Sequence, residues 1–480
     1  MDWKKEAQAF IAARGGEFAA LSRQIWEYAE LSLKEVKSAA LYLEKLRAEG
    51  FAVTEKLGGI STAFSGSFGS GRPVIGILGE FDALSGLSQT GGTAEEAPLV
   101  PGGAGHGCGH NMLGAAAFAA ACGVKRFLEL SGMPGTVIFY GCPGEEGGAA
   151  KAYLARDGVW KTLDAALSWH PGDCFEVTTG TNNACTQVLY EFRGVAAHAA
   201  GNPELGRSAL DAVELMNIGV QFLREHMKSE ERVHYAILDG GGVSPNVVQP
   251  SASVLYMVRS RSVPDTLALQ ARVDKIAEGA ALMTETGFRR VFVDGTADTL
   301  PNRTLEKCLY ENMEALPLPE YTPEERAYAA ALRKTYPHPA ELPGLGAEKD
   351  AAIAEIVREK SGGGEKDLND FLLPFYSGED FRPGSTDVGD VSRLTPTGQF
   401  TALCFPAGAP GHSWQNVSCG GSSIGDKGLL WAARVLCGAA ADLFADPALL
   451  DAAKAEFSRR TADRGYVCPI PPDAFPYVIE

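Results

Sequence analysis

Four short stretches gather side chains able to hold an ion or carry a proton. In GHGCGHN (105–111), His106, Cys108 and His110 are separated by glycines. A thiolate and imidazoles are metal donors, and glycine lets a chain fold tightly around an ion. In PGEEGG (143–148), Glu145 and Glu146 lie side by side after an apolar run. Two adjacent carboxylates are costly there unless something positive sits beside them. One can bind an ion while its neighbour takes a proton from bound water. His170 in ALSWHP (166–171) and His412 in GAPGHSWQ (408–415) each end or follow an apolar segment. Singly, each stretch has a plainer reading: a glycine-rich turn, a solvated acidic turn, a hydrogen-bonded structural histidine. Together they point to a metal site.

The surrounding elements must bring these residues to one place. Residues 5–50 read as helices, with Ile25, Ala29, Leu33, Val36, Ala40 and Leu43 at steps of three and four. Strands are expected at 51–57, 61–65 and 74–79, the last delivering Glu80 and Asp82 to its end. A helix over about 111–128 follows the glycine-rich loop. Strands at 136–140 and 165–169 end at the paired glutamates and at His170. A strand at 401–405 precedes His412, and a helix covers 423–438. Polar residues at successive strand tips with helices between are the pattern of an α/β sheet carrying its site at one edge.

From about residue 184 the pattern changes to β-α-β-β-α-β, the order of a ferredoxin-like unit. The expected organisation is therefore a catalytic domain in two parts, 1–183 and 299–480, with an inserted α+β domain at 184–298. The catalytic part is a mixed central sheet flanked by helices. Residues 377–396 read as loop, and 461–480 as a surface strap.

Bulk properties narrow the function. The 480 residues carry 43 Lys and Arg against 60 Asp and Glu, a formal charge of −17. That acidity argues against nucleic acid or anionic membrane as partner. No stretch approaches 18 uncharged apolar residues, so no membrane span is expected, and the charged N-terminus does not read as a signal peptide. Ten scattered cysteines without a CxxC pair read as reduced thiols of a cytoplasmic protein.

The ordered set GEFDAL (79–84), HGCGHN (106–111), PGEEGG (143–148), WHP (169–171), GVAAHA (194–199), GGVSPNVV (241–248), STDVGDVS (385–392) and GHSWQ (411–415) resembles the M20 metallopeptidase family. It is most similar to the amidohydrolase branch, which includes hippurate and auxin-conjugate hydrolases. The resemblance spans nearly the whole chain. It implies metal ligands Cys108, His110, Glu146, His170 and His412, a general base Glu145, and an orienting Asp82. Most of the family has a ligand histidine two residues before that Asp, where this chain has Glu80.

The same resemblance maps an oxyanion donor onto His198, supplied across a dimer interface by the inserted lid and dimerisation domain. Asn246 matches a substrate-binding position. Arg259 and Arg207 are candidates for a substrate carboxylate, and Ser385, Thr386 and Asp387 for the catalytic-domain side of the cleft. Two divalent ions are implied, manganese first; the thiolate makes zinc the alternative. The activity implied is hydrolysis of p-aminobenzoyl-glutamate. Another N-acyl amino acid or a dipeptide is the alternative substrate. A thiol hydrolase using Cys108 and a non-catalytic scaffold subunit are the remaining readings. The assembly implied is a homodimer, or a heterodimer with a related A-type subunit.

Overall fold

The computed structural model describes residues 2–337 and 341–478. Its eleven strands are β1 (Ala52–Glu55), β2 (Phe64–Ser70), β3 (Val74–Glu80), β4 (Gly135–Cys142), β5 (Ala165–Gly172), β6 (Glu176–Thr178), β7 (Ala184–Arg193), β8 (Arg232–Asp239), β9 (Ser251–Ser260), β10 (Gly287–Thr296) and β11 (Thr397–Leu403). They form a seven-stranded sheet in the order β1-β2-β4-β3-β5-β11-β6 and a four-stranded sheet in the order β10-β7-β9-β8. The chain divides into two compact units. The first holds residues 1–181, 300–381 and 391–465, the second 182–299, 382–390 and 466–480.

In the first unit, β4, β3, β5 and β11 run parallel, whereas β1–β2, β2–β4 and β11–β6 pair antiparallel. The four parallel strands therefore present their C-terminal ends at one edge. Apolar residues fill both sheet faces, as strands covered by helices on each side require. The helix His110–Ser131 is buried without a break from His110 to Val124. Its alanines allow close approach to β3, where a Cβ on Gly114 would stand 2.5 Å from the Glu80 carbonyl.

The helix expected over 423–438 forms as Ser423–Ala445. It is long and apolar enough to cross a membrane, yet 78% of that apolar window is buried inside the fold. It packs Leu429, Ala432, Ala433, Leu436, Ala439 and Ala440 into the core, and so serves as a core helix of this unit.

The N-terminal stripe needs correction. Helices cover Trp3–Ala13, Gly15–Tyr28 and Val36–Ala48, and the loop between the last two has Ala29 and Leu33 at positive φ. That loop resets the helical phase. Ser38, Ala39, Tyr42 and Leu46 face inward, while Val36 and Ala40 are exposed.

In the second unit β7, helix Ala209–Leu223, β8, β9, helix Val263–Thr284 and β10 follow in order. All strand pairs are antiparallel, giving the ferredoxin-like order. Both helices pack on one face through Val213, Met216, Val220, Leu269, Val273 and Ala277. Two segments expected in the catalytic part group here instead. The cause is a buried acid: Asp390 accepts hydrogen bonds from the Ala297 amide at 2.9 Å and the Tyr466 hydroxyl at 2.7 Å. Residues 382–390 and the tail from Tyr466 are thereby tied to the end of β10.

Candidate metal centre

The strand ends deliver the predicted residues to one place. β3 ends at Glu80, with Asp82 two residues on, and β5 carries His170 near its end. The loop after β4 holds Glu145 and Glu146. Gly109 caps the helix that begins at His110, with φ 78°, a left-handed conformation that costs glycine little. His412 also has positive φ, 54°; Ser413 behind it caps the next helix by accepting from the Asn416 amide.

Two triads emerge, Cys108–His110–His170 and Cys108–Glu146–His412, each with its donor atoms within 4.8 Å of one another. Cys108 belongs to both. Cys108 Sγ lies 3.4 Å from His170 Nε2, and Glu146 Oε2 lies 3.4 Å from His412 Nε2. A third group, Glu80, His110 and Glu145, has the same spacing.

The donors are oriented before any ion is considered. Asp82 Oδ1 takes His110 Nδ1 at 2.8 Å, while its Oδ2 accepts from Ser32 Oγ at 2.8 Å and from the Glu146 amide at 2.9 Å. His110 Nε2 is thereby aimed at the triads. It and Glu146 Oε1 are buried, 4.0 Å apart, and neither has a hydrogen-bond partner among the described residues. Buried polar atoms are seldom left so. A thiolate, imidazoles and carboxylates converging on two such atoms fit a divalent metal site.

Electrostatics agree. Burial alone would push Asp82 up, but the His110 ring and three hydrogen bonds hold its carboxyl well below the usual range. Burial opposes a charged His110, yet Cys108 and Asp82 raise it well above an ordinary histidine. The negative surroundings that attract a proton there would equally attract a cation. Burial and the nearby carboxylates push the Cys108 thiol up, against the pull of His110. An activated thiol nucleophile needs the opposite shift.

Comparison with known proteins decides the family. The chain is 44% identical over 476 residues to the B-type subunit of p-aminobenzoyl-glutamate hydrolase from Escherichia coli (strain K12), covering 97% of both chains. This protein belongs to the M20 metallopeptidase family, in its amidohydrolase branch. Residues 179–284 match the family model described as a peptidase dimerisation domain. Mouse Xaa-Arg dipeptidase is 27% identical over 95% of this chain and 92% of its own. The solved structure of a putative aminohydrolase from methicillin-resistant Staphylococcus aureus shares the fold at a TM-score of 0.58. That match covers 92% of this chain and 99% of the other at 15% identity.

The remaining candidates of this M20 chain lie in its second unit. His198 is exposed on a turn, and its Nδ1 accepts from the amides of Ala200 and Gly201 at 3.2 and 3.0 Å. That fixes the tautomer and leaves Nε2 as the protonated, donating nitrogen. The Asn246 carbonyl accepts from the Ala199 amide at 3.0 Å, so the two loops run together. Arg259 makes no carboxylate pair among the described residues; its Nε contacts Met257 Sδ at 3.1 Å. Arg207, by contrast, binds Glu285 at 2.9 Å and two backbone carbonyls. Thr386 and Ser385 are half-buried and Asp387 is fully buried. Asp387 lies in the second unit rather than on the catalytic part.

Several supporting residues escape sequence reasoning. Glu35 accepts from the amides of Leu33 and Gly144 and from Thr62 Oγ1, pinning the loop that carries the paired glutamates. Lys151, fully buried, lies 2.7 Å from Glu80. His106 is buried with Nε2 at 3.0 Å from the Ile25 carbonyl; burial pushes it down to about 4, so it braces the loop as a neutral ring. Of these supports only His106 stands out in the sequence, in the glycine-rich GHGCGHN run.

Proposed function

We propose that this chain hydrolyses the amide bond of p-aminobenzoyl-glutamate to p-aminobenzoate and glutamate, at a two-metal centre held by Cys108, His110, Glu146, His170 and His412. The observation that carries the chemistry is the convergence of these five side chains on the two partnerless atoms at the sheet edge. The substrate follows from the full-length similarity to the Escherichia coli hydrolase chain. Manganese is the metal proposed first and zinc the alternative.

Divalent ions held by these residues would supply polarisation of the scissile carbonyl and a more acidic water. Glu145, adjoining the Glu146 ligand, would take a proton from the attacking water and pass it to the departing nitrogen. Asp82 keeps His110 in the ligating tautomer. His198, with its protonated Nε2, donates to the tetrahedral oxyanion from a neighbouring copy or a related A-type subunit. Asn246 and Arg259 hold the glutamate carboxylate; a guanidinium suits that anion, and the one on Arg207 is already engaged. Thr386 lines the substrate side. The work is cytoplasmic, in keeping with ten cysteines that form no disulfide.

Similarity to the Xaa-Arg dipeptidase supports a second reading, cleavage of a dipeptide or another N-acyl amino acid at the same centre. A product assay separates them, using p-aminobenzoyl-glutamate, hippurate and dipeptides ending in arginine or glutamate, with and without added manganese. Release of p-aminobenzoate at the highest kcat/KM, lost with chelator, is the expected result. Faster turnover of a dipeptide without p-aminobenzoate release would replace the substrate and leave the mechanism.

A further inference from the structure

The five ligands leave one buried pair beside the centre without a role. Lys151 sits on the short helix Ala150–Arg156, and its side chain is fully buried. A lysine is almost never fully buried unless paired. Here its Nζ lies 2.7 Å from Glu80 Oε1, and the Glu80 side chain is itself 3% exposed. Glu80 is thus divided: one oxygen is held by the ammonium, and the other, Oε2, faces His110 Nε2 at 3.3 Å. That nitrogen is the partnerless donor already placed in the first triad. A Glu80 oxygen also lies within 4.8 Å of donor atoms on both His110 and Glu145.

An ion bound by His110 Nε2 would therefore find Glu80 Oε2 already in place. A carboxylate with one oxygen anchored can offer only the other, which favours single-oxygen coordination in a fixed direction. The buried ammonium also offsets one negative charge in a crowded acidic site.

We propose that Glu80 is an additional metal ligand, coordinating through Oε2 the ion that His110 binds, and that Lys151 is the positioning residue that holds it there. This rests on the two-metal reading above and adds a ligand outside its five.

The test titrates manganese into metal-free protein by calorimetry, comparing wild type, Glu80→Gln, Lys151→Met and the Glu80→Gln/Lys151→Met double variant. Circular dichroism and thermal melts of the metal-free forms check the fold. The double variant matters because removing one partner strands a buried charge, whereas removing both does not. Wild type is expected to bind two ions. Lys151→Met should weaken one of them by about 10–100-fold, the range for residues that orient ligands. The double variant should melt like wild type yet bind that ion at least as weakly. X-ray absorption of its form loaded with two manganese ions averages over both, so it should show about half an oxygen or nitrogen neighbour fewer per manganese. Two ions bound by the double variant with wild-type affinity and coordination would overturn the Glu80 assignment alone. No ion bound by wild type would instead overturn the metal centre, and this proposal with it.

Discussion

Two pairs of buried carboxylates, Glu80 and Asp82 in one unit and Asp294 and Asp390 in the other, are driven to opposite states by their surroundings. At the sheet edge, burial works against ionising Glu80 and Asp82, but Lys151 and His110 outweigh it and hold both carboxyls below their ordinary values. In the second unit, Asp294 and Asp390 meet only neutral donors: Gln187 for the first, the Ala297 amide and Tyr466 for the second. Burial wins there, with Asp387 adding repulsion, and both are pushed up to about 7. Acid density alone does not mark a reactive site. The cationic partner decides whether a buried acid stays charged and able to attract a metal, or stays protonated as packing.

The comparison can be broken at either end. The largest effect is expected at Glu145: Glu145→Gln should lower kcat by about 10²–10⁴-fold, as loss of a general base does, with two metal ions retained in elemental analysis. A fall in activity matched by loss of metal would recast Glu145 as a ligand. Next, Asp82→Asn should cost about 10–100-fold in metal affinity, because the amide no longer enforces the His110 tautomer. Unchanged affinity by calorimetry would mean that Asp82 serves the loop rather than the ion.

The acids of the second unit give a smaller effect, and one with a definite sign. Asp294 holds its proton more tightly folded than unfolded, so the stability it contributes is complete below about pH 4. It is lost as pH rises towards 7. Asp294→Asn should therefore stabilise the protein by about 1–3 kcal/mol at pH 8 and by little at pH 4, read from urea unfolding at both values. Equal effects at the two values would show that Asp294 is already charged. Asp82 contributes with the opposite slope, its stabilisation being lost as pH falls through its lowered range. Smallest is Arg207→Ala, which removes a partly exposed ion pair worth about 0–1 kcal/mol and should leave KM unchanged. A large rise in KM would restore Arg207 as a substrate contact.

The candidate site was legible in part from residue type and place, Cys108 and His110 among glycines and the paired glutamates at a strand end, whereas His170 and His412 also needed the family resemblance. The two sheets were legible too, since apolar runs and alternation mark parallel and antiparallel strands differently. What holds the ligands was not. Glu35 reaches Gly144 across 109 residues, and Lys151 meets Glu80 across a shorter but still long span of chain, so no local spacing reveals either pair. The N-terminal helices slipped in phase because a left-handed residue at Ala29 resets the count. Helix Pro447–Thr461 buries only Leu450, Ala453 and Glu456, too thin a stripe to read. Asp387 looks like a polar loop residue until Asp390 draws its segment inward.

That inward pull bears on how the chain is made. The inserted unit has most of its sequence by residue 299, but Asp390 and Tyr466 arrive far later. Chains emerge from the ribosome N-terminus first, at about 5–20 residues per second. The insert therefore waits roughly ten seconds or more, at those rates, for the hydroxyl that closes over Asp390. Its final latch is synthesised long after β10, which ties completion of this unit to synthesis of the segment between them.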